Sequence, residues 1–237
     1  MTENILKIIL NKFKKKFKNK KIYLHEPDIK KSDHIYLKKC ISENNISSTG
    51  KFIQKFEKKI SNFTGSKYVV LTNSGTSALH ISCLLSNIKK EEEVLVPSFT
   101  FVATVNVIKY CNATPHFVEV EDKNLNIDFI KLRKYLKKIS RIQGNKCINK
   151  KTGKRIRAII AVHVFGHPVN IKSLLEISKE FKLEVIEDAA EALGSFFKKK
   201  HVGTFGKFGT LSFNGNKIIT CGSGGAILTN SKILDAK

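Results

Sequence analysis

Tyr68–Leu84 reads YVVLTNSGTSALHISCL. Tyr68 to Leu71 is an apolar run of strand length, and Asn73-Ser74-Gly75-Thr76-Ser77 is a cluster of turn and hydroxyl residues. Ala78, Leu79, Ile81 and Leu84 then recur at helical spacing. Strand, tight turn and helix in this order form the opening unit of an α/β fold. The turn also has chemistry to offer, because free backbone amides at a helix N-terminus, flanked by hydroxyls, receive an anion such as phosphate. An ordinary Ser/Thr helix cap accounts for the same residues without a ligand. The G-x-G-x-x-G pattern of dinucleotide binding is absent from this turn, and the P-loop pattern occurs nowhere in the chain.

The alternation continues downstream. Strands are expected at Val94–Val96, His116–Val120, Ala158–Val164, Leu183–Ile186, Thr210–Phe213 and Gly225–Thr229, with helices at Ser98–Lys109, Asp128–Lys138 and Ile171–Phe181. Such a succession implies a largely parallel sheet covered by helices, with ligand sites at strand ends. Asn145–Arg157 (NKCINKKTGKRIR), centred on Thr152-Gly153, reads as a hairpin with solvated arms. At the N-terminus, Met1–Lys20 alternates Ile5, Leu6, Ile8, Ile9, Phe13 and Phe17 with lysines, the pattern of a basic amphipathic helix. Contact with an anionic membrane is one fate for such a helix. Docking on its own protein is the expected one, given Asn11, Asn19 and no aromatic anchor beyond phenylalanine.

Composition narrows the class. With 237 residues and 41% hydrophobic content, the chain supports one sizeable core, or a large domain with part of a second. Apolar runs such as Ala158–Val162 fall far below the ~20 residues that a bilayer demands. Ile5–Leu10 is too brief for a secretory signal and is followed by lysines. The five cysteines, Cys40, Cys83, Cys111, Cys147 and Cys221, form no Cys-x-x-Cys pair, so a reduced cytoplasmic protein without metal is expected. A net charge of +23 raises nucleic-acid binding. Yet lysine far outnumbers the four arginines, the charge is scattered, and no zinc finger, RNA-binding aromatic motif or basic heptad region is present. Abundant lysine, asparagine and isoleucine suggest AT-rich codon usage instead, and no dedicated nucleic-acid partner is expected.

Two residues point to covalent chemistry. Lys217 is the only charged residue in Phe208–Ser231, FGTLSFNGNKIITCGSGGAILTNS. A lysine in apolar surroundings becomes a nucleophile capable of forming an imine; a partly buried lysine that snorkels to the surface is the alternative. Asp188 ends the apolar stretch LEVIEDAA. An acid at such a strand end serves magnesium in nucleotide hydrolases, but the missing P-loop removes its partner. It can instead pair with a protonated ring nitrogen, as pyridoxal phosphate requires. A phosphate cup at Gly75-Thr76, the acid at Asp188, the amine at Lys217 and the aromatic-rich PSFTFVAT after Val96 fit that one cofactor.

The ordered stretches TNSGTSALH, VPSFTFVATVNVI, AVHVFGHPVN, VIEDAAEALGS and SFNGNKIITCGSGG resemble the DegT/StrS-type nucleotide-sugar aminotransferases, which are fold-type I pyridoxal phosphate enzymes. Ile22–Phe56, with LHEPDI and SSTGKFIQKFE, further resembles the branch that aminates C4 of UDP-linked 4-keto-6-deoxy-N-acetylhexosamines on the way to legionaminic acid or bacillosamine. The resemblance implies an α/β large domain with a mostly parallel central sheet flanked by helices. It divides the chain into a basic amphipathic helix at 1–20 and a cofactor-binding domain at 21–237, with the small C-terminal domain largely absent. It implies that Lys217 is the imine-forming catalytic lysine and Asp188 the partner of the pyridine nitrogen, with Gly75, Thr76 and Ser212 as phosphate ligands. Phe101 falls where an aromatic stacks on the ring, Glu191 where Gln or His often lies near the ring hydroxyl, and Ser48 and His163 where the sugar site is lined. Retention of lysine, where dehydratase relatives carry histidine, implies transamination from glutamate to a nucleotide sugar.

The family is similarly expected to be homodimeric and to continue beyond Asn230. Three outcomes are therefore open: an aminotransferase, either dimeric or completed by a separate C-terminal piece; a fragment that binds cofactor and catalyses nothing; and a basic binding module on the same fold.

Overall fold

The Tyr68–Leu84 segment folds as a strand, a tight turn and a helix. The computed structural model describes residues 2–18, 23 and 25–231. Three helices come first: α1 (Thr2–Phe17), α2 (Lys31–Ser42) and α3 (Lys51–Thr64). They are followed by β1 (Tyr68–Thr72), α4 (Gly75–Leu85), β2 (Glu93–Pro97), α5 (Val102–Tyr110), β3 (Thr114–Val118) and α6 (Phe129–Ile139). Next come β4 (Ser140–Gln143), β5 (Lys146–Asn149), β6 (Arg155–Val162), α7 (Ile171–Phe181) and β7 (Glu184–Asp188). The small ribbon β8 (Phe196–Phe197) and β9 (Lys200–His201) precedes β10 (Phe208–Ser212) and β11 (Gly225–Thr229).

The main sheet runs in the order β1-β11-β10-β7-β6-β2-β3. The strands β3, β2, β6, β7 and β10 are mutually parallel, whereas β11 is antiparallel to both of its neighbours. Register aligns the strand ends: Val162 lies opposite Asp188, and Gly225 pairs with both Ser212 and Thr72. The ends of β1, β6, β7 and β10 thus share one edge of the sheet, where open α/β folds place their ligands.

Alternation along the strands builds the two faces. On β6, Ile159 and Ala161 join the core under α6 and α7 with Leu132, Leu136, Leu174 and Ile177. Ala158 and Ile160 point the other way, toward Leu79 and Cys83 of α4 and Val107 and Ile108 of α5. A third cluster packs Ile60 of α3 against Val69, Leu211, Ala226 and Leu228. Fully burying each large aliphatic side chain contributes about 1.5–3 kcal/mol.

Several expected boundaries moved, each for a local reason. Ser98–Phe101 is not helical; α5 starts at Val102 after a bend at Ser98–Thr100 and an extended Phe101 at φ −71° and ψ 143°. The strand expected at His116–Val120 is Thr114–Val118, and Val120 forms only an isolated bridge to Ile127. The strand ending near Val164 stops at Val162, because Val164–Gly166 turns as a 3-10 element. The hairpin centred on Thr152-Gly153 is present, joining β5 to β6.

The expected docking of the N-terminal helix is corrected. Along α1 the side chains of Ile5, Leu6, Ile8, Ile9, Leu10 and Phe13 are 47–58% exposed. Residues 1, 19 and 20 of the expected helix lie outside the described residues. No described helix is long and apolar enough to cross a membrane.

One glycine fixes how α4 meets the sheet. A Cβ on Gly225 would lie 2.5 Å from the carbonyl carbon and oxygen of Ser74. Backbone cannot yield there as a flexible side chain would. Gly225→Ala is therefore expected to lower stability by about 1–3 kcal/mol in urea denaturation.

Candidate active site

The aligned strand ends enclose a cavity of about 450 Å³. Gly75, Thr76, Phe101, His163, Asp188, Glu191, Ser212 and Lys217 all line it. Ser48 does not; it is exposed in the segment between α2 and α3.

At the α4 end, Ser74 caps the helix by accepting a hydrogen bond from the Ser77 N–H at 3.0 Å. Gly75 and Thr76 occupy the first two helical positions, whose N–H groups have no intrahelical partner. A Cβ on Gly75 would lie 2.8 Å from Ser212 Cβ and 3.1 Å from its Oγ, so only glycine lets the helix start approach β10 this closely. The Ser223 hydroxyl donates to the Asn73 carbonyl at 2.7 Å, tying the glycine-rich loop over the same turn. The result is a cup of amides and hydroxyls with a helix dipole behind it.

Asp188 stands at the end of β7 and is 5% exposed. Its Oδ2 accepts from the Thr104 hydroxyl at 2.7 Å and its Oδ1 from the Ala190 N–H at 3.2 Å. Thr100 donates in turn to Thr104 Oγ1 at 3.0 Å, which directs the Thr104 proton toward the acid. Burial pushes the Asp188 carboxyl above its ordinary range, against the lowering effect of these bonds and of the Lys217 charge. A carboxylate held this way, with only neutral hydrogen-bond donors, is poised for a cationic partner.

Lys217 reaches the cavity from the loop after β10. Its side chain is 11% exposed, and Nζ lies 3.0 Å from Glu191 Oε1 and 5.7 Å from the Phe101 ring centroid. The amine is thus turned inward and covered, which excludes the snorkelling alternative. Glu191 is fixed from its other oxygen, which accepts from the Phe165 N–H at 3.3 Å. Phe165 itself is held at φ 50°, a strained conformation for a bulky residue, and its ring meets Phe99 edge-on at the cavity rim.

His163 lines the cavity but has no ring nitrogen to offer a sugar. Its Nδ1 accepts from the Val169 N–H at 3.2 Å, which leaves the proton on Nε2 to be donated to Glu187 at 3.0 Å. Glu187 also accepts from the N–H groups of Gly203, Phe205 and Gly206. Burial works to raise its pKa, but the His163 hydrogen bond and the backbone donors outweigh it and hold the carboxyl below its ordinary value. The pair is a brace beneath Asp188. Glu187→Gln turns an amide N–H₂ toward backbone donors and should cost about 2–4 kcal/mol. The stabilisation from Glu187 is complete above the unfolded carboxylate value of about 4.3 and is lost as pH falls through the lowered folded value. Urea titrations across that acidic range should therefore show a steeper loss in the parent than in the variant.

Reading the sequence missed Thr104, Ser223, Phe165 and the Glu187–His163 pair. Thr104 sits in the apolar run FVATVNVI, where a threonine passes for filler; its role depends on a contact 84 residues away. Among the described residues no group of three or more His, Cys, Asp or Glu side chains is placed to hold a metal.

An anion cup, a buried acid and a covered lysine at the strand ends of a largely parallel sheet define a fold-type I pyridoxal phosphate-dependent protein. The chain belongs to the DegT/DnrJ/EryC1/StrS aminotransferase family, whose sequence profile matches residues 27–237. It is 39% identical over 215 residues to the GDP-perosamine synthase of Escherichia coli O157:H7, a match covering 91% of this chain and 55% of that protein. It is 35% identical over 214 residues to the putative pyridoxal phosphate-dependent aminotransferase EpsN of Bacillus subtilis, covering 90% and 53%. The solved structure of a DegT DnrJ EryC1 StrS aminotransferase from Brucella abortus is similar with a TM-score of 0.75 and 30% identity, covering 84% of this chain and 51% of that one. The chain spans about half the length of the curated relatives it matches.

The residues fit the cofactor. Gly75, having no side chain, lets Ser212 close against a helix start suited to phosphate, so the hydroxyl and the free helix N–H groups stand together. Asp188 supplies the buried negative charge that a protonated ring nitrogen answers, and Lys217 Nζ lines the same cavity.

Proposed function

We propose that this chain provides the cofactor-binding machinery of a sugar aminotransferase that moves an amino group from glutamate to C4 of a nucleotide-linked 4-keto-6-deoxyhexose. The observation that carries the reading is the placement of Lys217, Asp188 and the Gly75-Thr76-Ser212 cup around one cavity. Pyridoxal phosphate, when bound, carries the amino group and accommodates the electron pair left when a Cα–H bond breaks.

The chain's own residues do the rest. Gly75 and Thr76 offer N–H groups, and Ser212 its hydroxyl, to phosphate oxygens. Asp188, shielded from water and oriented by Thr104, keeps a proton on the ring nitrogen. Lys217 Nζ takes a proton from Cα of the amino donor as a general base and later returns one as a general acid. Glu191, 3.0 Å away, sets where that amine points, and the Phe101 ring packs beside it.

Two observations bear on the sugar nucleotide. The similarity to a protein named GDP-perosamine synthase favours a GDP-linked sugar. The LHEPDI and SSTGKFIQKFE segments favour a UDP-linked N-acetylhexosamine. Purified chain supplied with pyridoxal phosphate and glutamate should convert a GDP-linked or a UDP-linked 4-keto-6-deoxy sugar into the amino sugar, read by mass spectrometry. Absence of amino sugar from both substrates, with cofactor bound, would overturn transfer and leave a cofactor-binding chain.

A further inference from the structure

We propose that α1 is a peripheral membrane anchor that lies in the plane of an anionic bilayer surface. The family match begins at residue 27, so α1 is an addition to the fold and not part of its shared core. At 100° per residue, Leu6, Ile9, Leu10, Phe13 and Phe17 fall on one face with Ile5 beside them. Lys15 and Lys18 lie opposite, with Ile8 among them, and Lys7, Lys14, Lys12 and Lys16 flank the apolar face on its two sides. The apolar side chains of this face, Phe17 apart, are about half exposed (Leu6 58%, Phe13 54%), and Phe13 and Phe17 stack with centroids 5.6 Å apart.

The occupant must satisfy both faces. The body of the protein does not cover the apolar one. A second copy would bring together two chains that each carry +23 and set lysine-rich helices side by side. A nucleic acid would neutralise the lysines but leave the leucines and isoleucines in water. An anionic bilayer receives the apolar face at the headgroup boundary and attracts the lysines, and a helix of about 24 Å lies along that boundary without crossing it.

The chain contains no tryptophan, so Phe13→Trp creates a single fluorescent reporter in the full protein. With vesicles of equal parts phosphatidylglycerol and phosphatidylcholine, its emission should shift to the blue and the protein should co-sediment; phosphatidylcholine alone should produce neither. Lys14→Glu with Lys15→Glu should weaken binding by about tenfold or more. Leu6→Asp with Ile9→Asp should abolish the shift while leaving far-UV circular dichroism and pyridoxal phosphate binding unchanged. Three outcomes would each overturn the proposal: no sedimentation with anionic vesicles, sedimentation by charge without a blue shift, or a shift without vesicles that grows with protein concentration, which would assign the face to a second copy.

Discussion

Lys217→Ala is expected to yield a folded protein that no longer retains pyridoxal phosphate after borohydride treatment and transfers no detectable amino group. Among the described residues Lys217 is the only lysine whose side chain lines the cavity, so no neighbouring amine stands in for it. A general base and acid at Cα contributes roughly 10²–10⁴ to the rate, and the nucleophile's attachment adds to it. Lys217→Arg separates chemistry from architecture, because arginine keeps a cation facing Glu191 yet has no neutral amine to give near neutral pH. Its circular dichroism and melting temperature should match the parent while borohydride fixation is lost. A borohydride-fixed cofactor in either variant, located by peptide mass spectrometry on another lysine, would sink the assignment.

Asp188→Asn is expected to lower transfer by roughly 10²–10⁴-fold and to change stability in the opposite sense. Asparagine cannot hold a proton on a ring nitrogen. In the cofactor-free protein, however, the parent carboxylate is ionised at the expense of its burial. Because its folded pKa is raised, Asp188's contribution to stability is complete below the unfolded value of about 3.9 and is lost as pH rises through the folded value. The stability of the parent relative to the variant should therefore fall from acid toward neutral pH in paired urea titrations. Adding pyridoxal phosphate should restore the parent more than the variant, since only the parent gains the ion pair. A constant difference across pH would refute the assigned burial cost, and equal stabilisation by cofactor would refute the ring-nitrogen role.

Much of the sheet was legible because its signals are local. The helix Ile171–Phe181 matches its expectation to the residue, since Asn170 caps its start by accepting from Ser173 N and Lys182 adopts the left-handed conformation that ends it. The strand Gly225–Thr229 is likewise as expected, bounded by glycines on one side. The candidate site was legible where a residue type is uncommon in its context, as Lys217 is among neutral residues and Asp188 is at the end of an apolar strand. What escaped was settled by distant contacts. The His163 ring is claimed by Glu187 and Val169, and nothing in AVHVFGHPVN announces that both nitrogens are taken. Helices α2 and α3 drew no expectation, although Phe52, Ile53, Phe56, Ile60 and Phe63 recur at helical spacing in α3 and its Ile60 and Phe56 pack on the core; α2, with no buried residue, has no such face.

The position of β11 between β10 and β1 bears on how the protein is made. Among the described residues the last strand is inserted beside the first, and the Ser66 hydroxyl reaches the Thr229 carbonyl across 163 residues of chain. On a ribosome, β1 and the start of α4 emerge early and wait without their sheet neighbour until Gly225–Thr229 has been synthesised. Closing so long a loop is entropically slow, and the contact between Gly75 and Ser212 forms only after it closes. Assembly of the cavity is thereby deferred until β11 has been synthesised, and a nascent chain stalled before it would carry Asp188 and Lys217 without the Ser212–Gly225 pairing that closes the cavity's floor.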